Sequence, residues 1–597
     1  NLTLTLKDIQ NMFKDNFSSD YIELNGNNLT ISRNPNGFLN RYNLSQKKYL
    51  GVELDTNPIY DYNNDAFFIG EIQKILKSNN IKFDENISIQ KYKCLPDTLD
   101  NFKDMFIDEQ DGIQFKNQIL FKKRITGLTS YFKSSSEDLM PNIESIEEII
   151  IPMSDHQFKT YQDIRLEERK QETNSKKIKR LTKFQDAYDD KSLSTYRIFS
   201  RQFCNFVFPE SNKRPMPKDS IEKSVEDTIT TCLNEDEFQE ECDDILEGVG
   251  ETKKYSERIQ QSLSSLKDSD ILLKSNENGL KIHSPKYFKL LENLENPDNL
   301  GLNLIYTQFR TVEGIAMISL ILEKNGYHQF KLKKKGADDW SIDLSQEQLQ
   351  SKKLFALFTG DVNEDEREVI RKIYNSEWDS LPKGLVEELK SIHTNNFYGE
   401  IIKIFMITSA GAEGINLRNT RFVHIIEPYW HPVRTEQVIG RARRLNSHDD
   451  LPKKLQNIKV FLYLMTFTKT QIKNEMAPDI RKNDVSKINP DSEPLTSDQA
   501  LFEISKFKET IMKQVLNNVK ESAIDCSIHK TDSKENLKCF NVDSTDKNTF
   551  IYKPDIKLDK TDDIIIEEQK LNPKILTKFQ AKKKKIGDTY YAIKKDE

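Results

Sequence analysis

The sequence predicts an α/β fold built on a parallel sheet with helices on both faces. Three observations predict it. Between residues 284 and 480, short apolar runs alternate with helix-like stretches. The runs are short and predominantly apolar, as strands buried on both faces require. Most are separated by enough chain to hold a helix, as a parallel crossover needs.

Taken in order, residues 1–154 mix a helical pattern, "LTLKDIQNMF", with strand-like "NLTIS" (28–32) and "IEEIIIPM" (146–153) around the turn "RNPNGF" (33–38). Residues 155–283 are long and polar, with charges of both signs at helical spacing, and predict an exposed helical insertion or connector. In 284–480 the strands are expected in "LNLIYT" (302–307), "LFALFTG" (354–360), "IIKIFMITS" (401–409), "RFVHIIEP" (421–428) and "KVFLYLMTF" (459–467). Helices are expected at 311–325, 363–376 and 433–444. Residues 481–597 predict a helix at 498–521 and then a flexible polar tail.

A length of 597 residues implies several cores, so a single small binding module is excluded. Lys and Arg number 89 against 95 Asp and Glu, a net charge of −6, so no global basic field points to nucleic acid. Any polyanion site must be local. Six cysteines without a C-x-x-C pair argue against a disulfide framework or a zinc ribbon and fit a reducing compartment. No apolar run approaches the roughly 18 residues of a membrane span, so a soluble protein is expected.

The chemistry-bearing stretch is "ITSAGAEGINLRNTRFVHIIEPYWHPVRTEQVIGRARR" (407–444). A buried strand ends at Ile407. Thr408, Ser409, Gly411 and Gly414 then follow at the carboxyl end of the sheet, where doubly wound folds place ligands and where small residues let backbone amides approach phosphates. Farther on, Gln437, Gly440, Arg441 and Arg444 are spaced so that one helix face carries two planar cations, with Gly440 keeping the helix slender where something comes close.

These segments resemble motifs V and VI of superfamily-two helicases and Swi/Snf-type translocases, and "LIYTQFRTVEGI" (304–315) resembles motif IV, which opens their second RecA-like lobe. "EPYWHPVRTEQVIGRARRLNSHDDLP" (427–452), "LFKKRITGLTSYF" (120–132) and "STYRIFSRQFCNFVFP" (194–209) look like the helicase-like ATPases of large cytoplasmic DNA viruses, including poxvirus nucleoside triphosphatase and early-transcription-factor subunits and their giant-virus relatives. The resemblance implies a RecA-like second lobe at 284–480, preceded by the rear of a first lobe at 1–154. It implies that Arg441 and Arg444 are arginine fingers for the γ-phosphate of ATP, with Gln437 and Gly440 beside the nucleotide and Glu413 and Gly414 coupling nucleotide to strand. A guanidinium there stabilises charge on the equatorial oxygens of the transferring phosphoryl group. Thr359, Gly360, Thr408 and Ser409 are the expected contacts to DNA or RNA, without base reading. A cytoplasmic setting, in infected cell or virion, follows by the same analogy, as do viral transcription subunits as partners.

A motor of this class also needs G-x-x-x-x-G-K-[ST] and a magnesium-binding acidic strand end. The sequence contains no Gly-Lys dipeptide. "EGVGETKK" (247–254) lacks a preceding apolar strand, and "MFIDEQDG" (105–112) has no phosphate loop before it. The expectation is therefore a carboxyl-terminal portion of a motor, with ATP and Mg2+ used only by the intact protein. The alternative is a non-hydrolysing scaffold subunit. Cys526, His529 and Cys539 lack an evident fourth zinc ligand. His424 and His431 are expected to serve packing or polar satisfaction. "AKKKK" (581–585) is expected to be a solvated tail, with a nuclear signal or nucleic-acid patch as the other readings.

Overall fold

A computed structural model describes residues 139–174, 197–216 and 250–529 almost throughout, together with 537–540, 581–586, 589–594 and stretches between 5 and 131. The chain divides into two compact units. One comprises 108–114 and 133–515, the other 1–107, 115–132 and 516–597.

The first unit is built on a seven-stranded, wholly parallel sheet. Its strands are β1 (Asn142–Pro152), β2 (Leu302–Tyr306), β3 (His328–Gln329), β4 (Leu354–Phe358), β5 (Ile404–Ile407), β6 (Thr420–Ile425) and β7 (Asn457–Thr466), in spatial order β1-β7-β6-β2-β5-β4-β3. The principal helices are α1 (Asp155–Asn174), α2 (Ile198–Asn205), α3 (Pro285–Glu295), α4 (Ile315–Lys324), α5 (Glu364–Tyr374), α6 (Lys383–Ile392), α7 (Pro432–Ala442) and the part of α8 (Ser497–Ser522) that precedes residue 516. Side chains leave a strand alternately to its two faces. Ile305, Met406, Phe422 and Phe461 accordingly join a core with Phe158, Leu290, Leu291 and Ile318. Leu304, Phe405, Val423 and Leu462 join another with Ile370, Leu385, Leu389, Val438 and Ala442. The five central strands match the five apolar runs.

Two features differ from expectation. Strand β1, read within the amino-terminal segment, pairs with β7 over its whole length and forms one edge of the main sheet. Segment 155–283, expected to be exposed, contains some of the most deeply buried polar side chains: Arg197, Ser200, Arg201, Gln202 and Asn205. They are buried because each meets a partner across the fold. Asp484 receives Arg165 Nε at 3.2 Å and Arg197 Nη2 at 3.0 Å, together with Arg169, while Arg165 also bonds Glu168 at 3.1 Å. Lys286, fully buried on α3, donates to Asp498 (2.6 Å), Asn205 (2.9 Å) and the Ile426 carbonyl (3.1 Å).

In the second unit, Cys526 and Cys539 form a disulfide, with Cα atoms 5.7 Å apart. The reading of the cysteines as reduced did not anticipate this bridge, which removes both thiols from any zinc set. The pairing arises from tertiary return of the chain, which brings Phe540 N to the Glu521 carbonyl, and sequence spacing carries no sign of it. Among the described residues no group of three or more His, Cys, Asp or Glu could hold a metal, and no helix is long and apolar enough to cross a membrane. Residues 581–586 and 589–594, placed by sequence in a loose tail, are two antiparallel strands, β8 (Ala581–Ile586) and β9 (Thr589–Lys594).

Candidate nucleotide and strand site

The carboxyl ends of β2, β4, β5 and β6 lie side by side, so the segments after them converge. Parallel register sets Phe358 against Ile407, which makes Thr359 and Thr408 neighbours at the sheet edge. Both threonines are buried, at 3% and 1% exposure. Gly360, Ser409 and Glu413 lie outside the described residues. Gly414 is exposed with φ of +75°, a left-handed conformation that favours glycine and lets the chain turn back toward the sheet.

That return is clamped. Asn375 at the end of α5 donates through Nδ2 to the Asn416 carbonyl (2.9 Å) and accepts Arg418 N through Oδ1 (2.9 Å). Arg371 lies beside it, held firmly protonated by its hydrogen bond to Glu368 and by Glu377. Leu417 N donates to the Arg441 carbonyl at 3.0 Å, tying the loop after β5 to the end of α7.

Helix α7 begins at His431, whose Nδ1 caps Val433 N at 3.2 Å, and Pro432 occupies its first position. Val438, Ile439 and Ala442 bury one face. Gln437, Gly440 and Arg441 lie on the other, with Gln437 exposed and Arg441 half-buried. The helix was expected to run on through Arg444, but it stops at Ala442, and Arg443 leaves the helical conformation at φ −91° and ψ 82°. Arg444 therefore stands exposed in the turn that follows, off the helix face that carries Gln437 and Arg441. The turn is built rather than loose. The Ser447 hydroxyl donates to the Ala442 carbonyl (3.0 Å) and accepts Arg444 N (3.3 Å), Arg443 Nε donates to the Pro141 carbonyl (3.2 Å), and Asn446 N donates to the Leu139 carbonyl (2.9 Å).

Glu427, just past β6, is the hub at the end of β2. It accepts Thr307 Oγ1 at 2.7 Å, Gln308 N at 2.9 Å and Asn205 Nδ2. Burial raises its pKa against the pull of Lys286 and these donors. Sequence reasoning missed Glu427, Asn375 and Ser447. The one local signal was a glutamate directly after the apolar "FVHII", where a charge is costly unless bonded.

His424 is buried within β6. Its Nε2 lies 3.0 Å from Asn303 Oδ1, and its Nδ1 lies 2.8 Å from the Tyr463 hydroxyl. It is a satisfied neutral imidazole, pushed down to about 3 by burial, and His448 is lowered to about 4 mainly for the same reason. Both folded values lie below the unfolded histidine value, so the unfolded chain binds the extra protons. Stability present above about pH 6.5 is therefore lost as pH falls, by about 3 kcal/mol per histidine near pH 4. Denaturant titrations from pH 7 to 4 are expected to show this loss, and His424→Gln should flatten its share of the slope. A slope unchanged in that variant would remove the assignment.

Residues 330–446 match the family model described as helicase conserved C-terminal domain. The match lies within the unit built on the parallel sheet, whose α/β architecture is that expected of a RecA-like helicase lobe. The chain is also distantly similar to proteins of large DNA viruses. A protein of Acanthamoeba polyphaga mimivirus, assigned by name to the ATP-dependent RNA helicases, is 26% identical over 74% of this chain and 52% of its own length. A second mimivirus protein so named is 24% identical over 76% of this chain and 59% of its own. A termination factor NPH-I homolog of African swine fever virus is 30% identical over 36% of this chain and 29% of its own. The chain thus spans between half and three-fifths of the two mimivirus relatives.

Proposed function

We propose that this chain supplies the arginine fingers and strand contacts of an ATP-dependent nucleic-acid helicase or translocase of viral, transcription-associated type. The observation that carries this reading is the hydrogen bond from Leu417 N to the Arg441 carbonyl. It joins the segment that would touch a strand to the helix end that would touch a γ-phosphate, so displacement at one is felt at the other. Arg441, Arg444, Gln437 and Gly440 would meet a nucleotide held by another lobe. That lobe would contribute the phosphate loop and magnesium carboxylates, and Mg2+ would be held there. The partner lobe, the nucleic acid and viral transcription subunits are the proposed partners, with the cytoplasm or the virion as setting. As it stands the chain should hydrolyse ATP negligibly, and joined to such a lobe it should turn over ATP in a nucleic-acid-dependent way, as a phosphate-release assay would report.

Gly440 offers an independent check. A Cβ placed there meets no described atom within 4 Å, so packing within the chain does not require glycine. Gly440→Ala should then stabilise the lobe by about 0.5–1 kcal/mol through helix propensity, measured by denaturant midpoint. If a nucleotide approaches this ridge, the same variant in the joined motor should lose turnover. A variant both more stable and fully active would place the nucleotide elsewhere.

The scaffold alternative draws on the absence of a Gly-Lys dipeptide from the sequence. It leaves the ordered turn around Arg444 without a purpose, because Ser447, Asn446 and Arg443 all spend hydrogen bonds to hold it.

A further inference from the structure

The disulfide of the second unit sits where three short pieces of chain meet. Cys526, just past the end of α8, is bridged to Cys539 across a sequence separation of 13 residues. The two are buried, at 2% and 9% exposure, beside Ala523 and the half-buried Tyr131. Phe540 N donates to the Glu521 carbonyl at 2.6 Å and Lys538 N to Glu521 Oε1 at 3.3 Å, with Leu537 and Phe540 buried on either side of them. The same glutamate pairs with Lys122 on the helix Gln118–Ile125. Farther along, Ile524 N donates to the Thr129 carbonyl (3.1 Å), and Asp525 Oδ1 accepts Tyr131 N (2.6 Å). The turn Glu521–Cys526 therefore carries both Leu537–Phe540 and the segment from Lys122 to Tyr131.

Closing so short a loop with a covalent bond favours the closed arrangement by about 10²-fold over the open chain. Either hydrogen bond to Glu521 contributes about tenfold or less, so the bridge outweighs each of them. Six cysteines in 597 residues, with no C-x-x-C pair, fit a reducing compartment, and disulfides in such settings are mostly transient and redox-sensing. Access is asymmetric. Cys539 is the less buried of the two and follows the exposed Lys538, whose ammonium attracts an approaching thiolate, whereas Cys526 lies deeper.

We propose that the Cys526–Cys539 bridge is a reversible redox clasp: oxidised, it fastens Leu537–Phe540 to the end of α8 and steadies the hold of that end on Thr129–Tyr131, and reduction by a free thiol loosens both. A thiolate of the reductant attacks Cys539 Sγ, the S–S bond breaks, and Cys526 leaves as a thiolate that takes up a proton. A second reductant thiol then attacks the mixed disulfide at the reductant's own sulfur and releases Cys539 as a thiol. The pair gains two electrons and two protons, and the reductant ends as a disulfide. The clasp operates whether or not the other unit serves a motor.

The test equilibrates the full chain in glutathione buffers, one with the reduced form in large excess and one with the oxidised form. Alkylation and mass spectrometry read the state of the pair, and hydrogen exchange reads the two held segments. In excess reduced glutathione the pair should appear as two free thiols, and the Lys538 and Phe540 amides should exchange about 10²-fold faster. The Ile524 and Tyr131 amides should also speed up, and return to oxidised glutathione should restore all four. Cys539→Ser should exchange at the reduced-state rate in both buffers. A bridge that persists in excess reduced glutathione would be a permanent staple and would overturn the proposal. So would a bridge that opens while the four amides exchange as before, or a Cys539→Ser variant whose exchange still follows the buffer. The comparison on the unsubstituted chain decides the matter on its own if the serine variant does not fold.

Discussion

Arg441→Ala, made in the motor that joins this lobe to a phosphate-loop lobe, is expected to lower ATP turnover by about 10²-fold or more while leaving nucleotide affinity largely unchanged. A guanidinium acting on the γ-phosphate is used mainly in the transition state, when charge builds on the equatorial oxygens, so its removal falls on kcat and spares ground-state binding. Arg441→Lys should rescue poorly, because an ammonium lacks the planar fork. Arg444→Ala should act in the same direction. Its turn is held by Ser447 and Asn446 through bonds that do not involve the Arg444 side chain, so the backbone that presents it survives the loss of that side chain. The decisive measurement is steady-state hydrolysis alongside nucleotide binding for each single variant and for the pair. Normal turnover with both arginines removed would leave the lobe a scaffold.

The second large effect belongs to folding. Asp484→Ala should destabilise the unit built on the parallel sheet by about 3–5 kcal/mol, read as a drop in its denaturant midpoint. Asp484 is wholly buried and takes bonds from Arg165, Arg169 and Arg197. Without it, Arg165, Arg169 and Arg197 would lose the buried carboxylate that they share, and among the described residues Glu168 is the remaining carboxylate paired with one of them. Replacing Arg165 together with Asp484 by apolar residues should cost less than Asp484→Ala alone, because the penalty lies in stranded charge rather than in a lost contact. If the single variant unfolds at the wild-type denaturant concentration, the cluster is solvated and its burial is misassigned.

The sheet was legible because its central strands are buried on both faces and therefore write themselves as predominantly apolar runs, from Leu302 to Leu464. Strand β1 was legible as a strand in "IEEIIIPM", but its place at the edge of this sheet was not, because its partner lies some 315 residues away. Two-residue β3 is too short to carry a pattern. In the site, the order and spacing of Thr408, Gly414, Gln437 and Arg441 were visible, and the helix face bearing Gln437 and Arg441 followed from their interval of four. The end of α7 before Arg444 was not, since no glycine or proline marks it and the stop is made by Ser447 bonding back to Ala442. The polar partners of Asp484, Glu427 and Lys286 come from segments distant in sequence, and no local period records such pairings.

The position of β1 at the sheet edge has a consequence for how the chain is made. It leaves the ribosome ahead of β7, and 305 residues separate Pro152 from Asn457. At about 5–20 residues per second, the strand waits roughly 15–60 s for β7, its neighbour in the sheet. During that interval a segment containing Ile149, Ile150 and Ile151 presents unpaired amides and carbonyls, the feature that recruits other nascent chains. The glutamates interspersed among its isoleucines are the residues that keep such a strand soluble while it waits. Changing Glu147 and Glu148 to threonine should therefore lower the soluble yield during synthesis far more than it lowers the stability of the finished protein.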